Sequence, residues 1–497
     1  VLLCASTFAG TQTLSREVLL DKIRGGWAGQ MIGVSFGAPT EFQALGRTYD
    51  ADLVWAPERV SNAIDQDDLY VEMTFAKVMD DQGLNATCEQ YGEAFRGSKY
   101  HLWHANAGAR RALGQGIKAP WSGHPSHNFH ANDIDFQIEA DFIGLMCPGL
   151  PRETVRYADR VGRVMNFGDG LYGGMFIGGM YSAAYFEEDP RKVVEAGLAC
   201  IPAKSEYAQV IRDVLAWSAQ NPGDWRKVWR LLEDKWDKND PCPDGALSPF
   251  NIDAKLNGAY VAMGLLFGEK DFYKTAEIAT RCGQDSDCNP SSAAGVLGVM
   301  IGWERIPAPF RSGIPELADR KFAFTDYSFN SIIKSTETRA LKLIEQTGGK
   351  VTSTQVTIRV QKPRAPKLEQ WSPGIPDSKP GIENSAWTWN GGWTRKDGAM
   401  HTESAGAEAT LQFNGVAVAV IGSLTQTGGR ADVYLDGKKV GEADAYIVEN
   451  THDNVLWNVY GLKPGPHTLK LVVSGLADTR SKGKQVSIER AVVYRKQ

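Results

Sequence analysis

The chain has 497 residues, more than one ordinary core organises, so two or three domains are expected. Hydrophobic residues make up 42% and charged residues 23%, the balance of a folded chain rather than a disordered one. The formal net charge of −5, without a polybasic run, excludes nucleic acid and anionic membrane surfaces as expected partners. No stretch reaches the ~18 apolar residues of a membrane span.

Val1 to Gly10 are apolar or small and carry no charge. They read either as the remnant of a signal peptide over residues 1–12 or as a frayed terminus. The first reading makes the chain secreted or periplasmic. The seven cysteines form no C-x-x-C pair, which argues against a zinc motif and against a dense disulfide framework, and leaves room for one or two bridges.

Helical periodicity begins at 16–33, where Leu19, Leu20, Ile23, Trp27, Met31 and Ile32 share a face. It returns at 68–80 through Leu69, Met73, Ala76 and Met79. Further helices are predicted near 134–146, 151–165, 171–187, 190–200, 205–219, 223–236, 254–267, 271–281 and 290–303. Small residues recur in several of them (Gly173, Gly174, Gly178 and Gly179, then Ala293, Ala294, Gly295 and Gly298), which lets helix backbones approach closely. The expected body over 13–345 is therefore all-α. Residues 351–361 alternate as a strand, and Pro363, Pro366, Pro373, Pro376 and Pro380 mark a strand-and-proline linker over 346–383. From 384 to 497 the pattern is β. Leu411–Gly422 and Pro466–Val473 read as strands, and Asp436-Gly437 reads as a hairpin turn, so an all-β, jelly-roll-like sandwich follows the helical domain.

Two acidic clusters stand at predicted helix starts: D-Q-D-D at 65–68 and G-Q-D-S-D-C-N at 283–289. Capping accounts for one Asp per helix. It does not account for three acids within four residues, nor for the Asp285-x-Asp287 pair. Should the clusters converge, their charges require a cation or retained protons. All-oxygen ligands favour Mg²⁺, Mn²⁺ or Ca²⁺ over zinc.

With these blocks the chain resembles the ADP-ribosylglycohydrolase family, over roughly residues 16–310. G-V-S-F-G-A-P-T-E at 33–41 is similar to the family's opening G-D-A-L-G-A-P-x-E run. Q-D-D-L at 66–69 is similar to its T-D-D-T block, and G-Q-D-S-D-C-N to its G-G-D-T-D-T-N block. G-D-G-L-Y-G-G at 168–174 resembles its mid-chain block. The resemblance implies an all-α fold and one or two divalent metal ions held by Asp67, Asp68, Asp285 and Asp287. Gln66 and Cys288 stand where the family carries threonine ligands. A thiol is a poor partner for a hard cation, and Gly33-Val34 replaces the family's Gly-Asp, so substrate handling is expected to differ.

Glycoside cleavage needs a carboxylate pair, or a carboxylate with a metal-activated water. The resemblance points to Glu41 as acid/base. Glu139 and Asp141, on the predicted helix of 134–146, are further catalytic candidates, or else form a solvated helix face. Gln137 and Asp141 would share one side and Glu139 would point elsewhere. Asp169 and Tyr172 are expected to line the substrate cleft. His101, His104, His124, His127 and His130 crowd into thirty residues. The H-x₂-H spacings hint at zinc, but Pro125 breaks helical geometry and no acidic or cysteine ligand is interleaved. The segment reads instead as a loop contacting substrate through Trp103, His127 and Asn128, or as an ordinary surface loop.

The C-terminal region resembles the galactose-binding-like modules of secreted glycosidases. Trp387, Trp389, Trp393 and Trp457 are candidate sugar platforms or core residues. Together these readings predict a secreted, metal-dependent hydrolase acting on a furanose-like glycoside or extracellular glycan. Removal of ADP-ribose from protein or nucleotide, and catalytically silent glycan binding, are the competing expectations.

Overall fold

The structure, a computed structural model, describes residues 10–237, 240–448 and 451–497. It divides into two compact units. The first is helical. Its elements are α1 (Arg16–Gly37), α2 (Asp67–Gln82), α3 (Cys88–Arg96), α4 (His104–Gly114), α5 (Asp135–Ile138), α6 (Asp141–Leu145), α7 (Pro151–Gly162), α8 (Asp169–Ala184), α9 (Pro190–Leu198), α10 (Glu206–Gln220), α11 (Trp225–Trp236), α12 (Ala254–Gly268), α13 (Phe272–Arg281), α14 (Cys288–Ile301), α15 (Ala308–Arg311) and α16 (Phe329–Gln346). None is long and apolar enough to cross a membrane among the described residues.

Two helices organise the core. Every residue of α1 from Gly25 to Gly37 is buried, as is α14 from Cys288 to Met300. A helix apolar on all faces belongs in the interior. Their contact is a ladder of small residues one turn apart. A Cβ built on Gly25, Gly29, Gly33 or Gly37 would lie 2.0–2.2 Å from the carbonyl oxygen of Gly298, Ala294, Pro290 or Ser286 respectively. Only glycine permits that approach. The ladder runs the end of α1 into the loop before α14, which is where the second acidic cluster stands.

The sequence-predicted helix of 134–146 is broken at Glu139 and Ala140. The histidine segment read as a loop contains α4, whose first N–H groups are capped from thirty residues away. Asp135 accepts from the Ala105 and Asn106 amides at 3.1 and 2.9 Å. No local motif announces such a cap. Helix α3 carries a Thr87/Gln90 capping box and α16 a Ser328/Ser331 box, local signals that the periodicity reading passed over.

In the segment read as a strand and proline linker, 346–383, the strand expected over 351–361 is present as Gln355–Val360. Gln355–Val360 pairs antiparallel with Gly10–Ser15 on one side and with Lys350–Val351 on the other. Gly10–Gln12, within the stretch read as signal remnant, thus sits in a sheet of the helical unit; residues 1–9 lie outside the described residues. Ile375–Ser378 pairs with the last strand, Arg490–Arg495.

The second unit holds residues from Trp371 onward together with 240–251, a segment between α11 and α12. Tyr494 Oη donates to the Pro241 carbonyl at 2.9 Å. A five-stranded and a four-stranded antiparallel sheet share one core built from Leu411, Val418, Val420, Val433, Leu471 and Val493 among others. Asp436 and Gly437 have φ of 50° and 80° and turn the Gly429–Leu435/Lys438–Asp444 hairpin as predicted. The expected strand over 411–422 is two strands, Glu408–Gly415 and Ala417–Leu424. The indole N–H groups of Trp387, Trp389 and Trp393 donate to Pro380, Ile382 and Glu408 carbonyls, which commits these rings to the framework.

Candidate active site

The two aspartate pairs meet. Asp67, Asp68 and Cys288 each offer a ligand atom within 4.8 Å of one another, and Asp285, Asp287 and Cys288 do the same. The Cys288 sulfur is the point they share. The N-cap residues Gln66 and Asp287 make no side-chain cap bond, and of the acids only Asp67 accepts from a first-turn amide, that of Asp68 at 3.2 Å, so capping accounts for one member of the clusters.

Backbone stitching explains the convergence. Gly283 and Gln284 have φ of 83° and 55°, and a Cβ on Gly283 would lie 2.2 Å from the Ala44 carbonyl oxygen. The Gln284 amide donates to Ala44 and the Phe42 amide to Gln284, at 3.0 and 3.1 Å. The Thr40 and Ser286 hydroxyls lie 2.8 Å apart. The loop carrying Asp285 and Asp287 is thus sewn to the loop carrying Glu41.

The electrostatics follow from crowding. Asp68 is buried, and burial, then the Asp67 charge, pushes its carboxyl up to about 8. Asp287 rises to about 7 through burial and then Asp68. Asp285 is held well above the carboxylate range by burial and Asp287, and Asp67 is raised by burial. Glu41 stands exposed at the rim; the protein around its carboxyl, then Asp287 and Asp67, raise it to about 7. Neither oxygen of Asp68, nor Oδ1 of Asp285, has a donor in full hydrogen-bond geometry; the Cys288 and Ser291 side chains are the donors nearest Asp68. Buried carboxylate oxygens without well-placed donors fit a divalent cation. Asp67 and Asp68 on one side and Asp285 and Asp287 on the other would hold one or two such ions. The Cys288 thiol donates to Asp287 Oδ1 at 3.8 Å and is kept protonated by burial and by the surrounding aspartates, so it fits as a neighbour rather than as an anionic ligand. Gln66 donates its side-chain amide to Asn62 at 2.9 Å.

The other predicted residues separate into three groups. Glu139, expected to point away, turns inward because the helix breaks there; it is fully buried, accepts from Asn106 Nδ2, and feels the charges of Asp67 and Asp68. Asp141 is buried as well, accepting from Ser292 at 3.3 Å, with its carboxyl pushed up to about 7 by burial. The solvated-face reading fails for both. Trp103 is exposed, its ring 4.5 Å from His101, and His127 is exposed. Asp169, Tyr172 and Asn128 make contacts of their own. Asp169 neighbours Lys255, Glu206 and Asp253, and burial raises it to about 7. The Tyr172 hydroxyl accepts from the Glu369 amide at 2.6 Å and anchors that segment. The buried Asn128 amide donates to Ala105 and Met165 carbonyls at 2.8 and 2.9 Å. The six described cysteines form no disulfide.

Sequence reasoning passed over Glu72. It lies on the buried face of α2, one turn after Asp68, accepts from the Phe142 amide at 2.8 Å, and is raised well above the usual range by burial and Asp141. A glutamate between Leu69, Met73 and Ala76 on an apolar helix face was the available signal.

A segment of 74 residues, 15% of this chain, is 42% identical to an A type blood alpha-D-galactosamine galactosaminidase of Flavonifractor plautii. The match spans only 7% of that relative's length. Among solved structures, an ADP-ribosylglycohydrolase-related protein complex aligns over 65% of this chain and 98% of that chain, with 14% identity and a TM-score of 0.43. A Paenibacillus xanthan lyase aligns over 28% of this chain and 15% of that one, with 12% identity and a TM-score of 0.19. The sequence profile described as ADP-ribosylglycohydrolase matches residues 15–339, a stretch that takes in Glu41 and both converging aspartate pairs. By that match, the chain belongs to the ADP-ribosylglycohydrolase family.

Proposed function

We propose that the protein is a secreted or periplasmic, metal-dependent hydrolase of an N- or O-glycosidic bond to a furanose-like sugar in an extracellular glycan or glycoside. The observation that supports it is the meeting of Asp67/Asp68 with Asp285/Asp287 beside Glu41. A divalent cation there supplies Lewis-acid charge and a site for sugar hydroxyls and water. Glu41, at the open rim, holds a proton near neutrality and is placed to give it to the leaving oxygen or nitrogen or to take one from water. The part of its shift that comes from Asp287 and Asp67 is offset when cation charge is present; the part due to burial remains. Glu139 and Asp141 touch no open surface and act as positioning residues. Trp103 is exposed and free to stack on a sugar or base ring.

Cleavage of a glycan is favoured by the C-terminal sandwich and by the partial relative, whose name is that of a galactosaminidase. Family membership favours a second reading, release of ADP-ribose from protein or nucleotide. One experiment separates them: a panel of pentofuranosides, glycan fragments and ADP-ribosylated protein, assayed with and without EDTA. The expected result is EDTA-sensitive release restored by Mg²⁺ or Mn²⁺, and a kcat lowered by ~10²–10⁴ in Glu41→Gln with substrate binding retained. Binding without turnover on any member would overturn the proposal in favour of a silent glycan-binding protein.

A further inference from the structure

A second constellation of metal-ligand side chains lies in the helical unit, outside the aspartate site. His104, at the start of α4, and His130 and Asp133, in the loop before α5, bring ligand atoms within 4.8 Å of one another. Asp133 Oδ2 is hydrogen-bonded to His130 Nδ1 at 2.7 Å, a bond an incoming metal ion would replace, and lies 4.0 Å from His104 Nδ1. Around a tetrahedral zinc with bonds near 2.0 Å, ligand atoms stand about 3.3 Å apart, between these two distances. His130 and Asp133 are buried and His104 is largely so.

The backbone at each of the three residues is held by a buried polar side chain. Asp135 binds the Ala105 and Asn106 amides beside His104. Asn128 ties the Ala105 carbonyl to the loop and accepts from the His130 amide at 3.2 Å. Asn166 donates to the Asp133 carbonyl at 2.8 Å. His104 itself has a φ of 39°, a left-handed conformation that non-glycine residues seldom adopt and that costs energy unless its surroundings enforce it. Buried partners that orient metal-binding side chains are the usual support of such sites. The zinc hint in the sequence thus resolves differently from its H-x₂-H spacing: His124 and His127 take no part in the group, and the acidic ligand is Asp133.

We propose that His104, His130 and Asp133 form a transition-metal site suited to Zn²⁺. Two imidazoles and one carboxylate select a borderline cation over Mg²⁺ or Ca²⁺, in contrast to the all-oxygen aspartate site. A cation held there pins the start of α4, and with it the exposed Trp103, to the 130–133 loop. The inference stands independently of the proposed glycosidase reading.

The test equilibrates the full chain with buffered Zn²⁺, desalts it, and measures zinc by mass spectrometry. Stoichiometric zinc is expected in the wild type and in Asp285→Asn, which damages only the aspartate site, and its loss is expected in His104→Gln and His130→Ala. Zn²⁺ should raise the Tm of the wild type by mass action and leave His104→Gln unmoved. Co²⁺ loaded into Asp285→Asn should give the intense visible bands of a four- or five-coordinate site. That spectrum needs no change at the three ligands, so misfolding of the histidine variants leaves the proposal testable. Equal zinc retention in the histidine variants overturns it, and so does a wild type that takes up no zinc and shows no Co²⁺ bands.

Discussion

The two units bury polar groups very differently. The helical unit encloses Asp68, Glu72, Asp133, Asp135, Glu139, Asp141, Asp285 and Asp287, several with oxygens that receive no hydrogen bond. In the second unit the buried polar residues among those described are Asp240, Asn251, Thr402 and Ser487, a single acid against the eight named in the helical unit. A core without unpaired charge is what folding alone selects. The acid-rich interior of the helical unit opposes folding and is retained for something else, which locates the chemistry without reference to any relative.

The largest break in that contrast should come from removing one buried acid. Asp285→Asn is expected to lower kcat/KM by ~100-fold or more, since the cation loses a ligand. The same variant should melt higher than wild type in EDTA, because one of several crowded like charges is gone. Activity assays and melting curves on one preparation check both halves.

A second effect is specific to the helical unit. Asp68 is raised to about 8, and Asp287, Asp141 and Glu41 to about 7. Unfolded carboxyls titrate near ~4. Between those values the folded chain binds more protons than the unfolded chain, so its stability falls as pH rises. The metal-free Tm should therefore climb as pH is lowered from about 8 to about 5, and saturating Mn²⁺ should flatten the trend. A metal-free Tm that falls over that range would contradict the crowding.

The smallest effects compare one residue type in two settings. Gly29→Ala sets a methyl 2.2 Å from the Ala294 carbonyl oxygen inside the α1–α14 ladder, and about 1–3 kcal/mol of destabilisation is expected. Gly437→Ala meets no atom within 4 Å but keeps a φ of 80°, and about 1 kcal/mol is expected from the backbone alone. Denaturant midpoints of the two transitions measure each.

Much of this was legible from residues. The aspartate doublets, the small-residue helices and the Asp436-Gly437 turn each carry their meaning within a few positions. What stayed hidden depends on distant partners. The cap on α4 comes from Asp135, thirty residues away. Tyr172 lies within the motif-like G-D-G-L-Y-G-G run, yet its hydroxyl answers to Glu369. Unbroken helical geometry points Glu139 outward, and the break at Glu139 and Ala140, which tertiary packing imposes, turns it inward. Residues 240–251 join the second unit from the middle of the helical sequence; Pro241, Pro243, Gly245 and Pro249 mark the break in helix, but nothing local names the distant strands they join.

Gly10–Ser15 finds its partner only at Gln355–Val360, with the whole helical body in between. During synthesis on the ribosome, the first described strand must therefore wait, unpaired, until α16 has emerged. The 240–251 segment waits in the same way for the strand that bears Tyr494, which follows Pro241 by 253 residues. Each unit is closed by a late-arriving piece of chain. A truncation just short of residue 355, or of 490, would leave an earlier segment without its mate rather than simply shorten the protein.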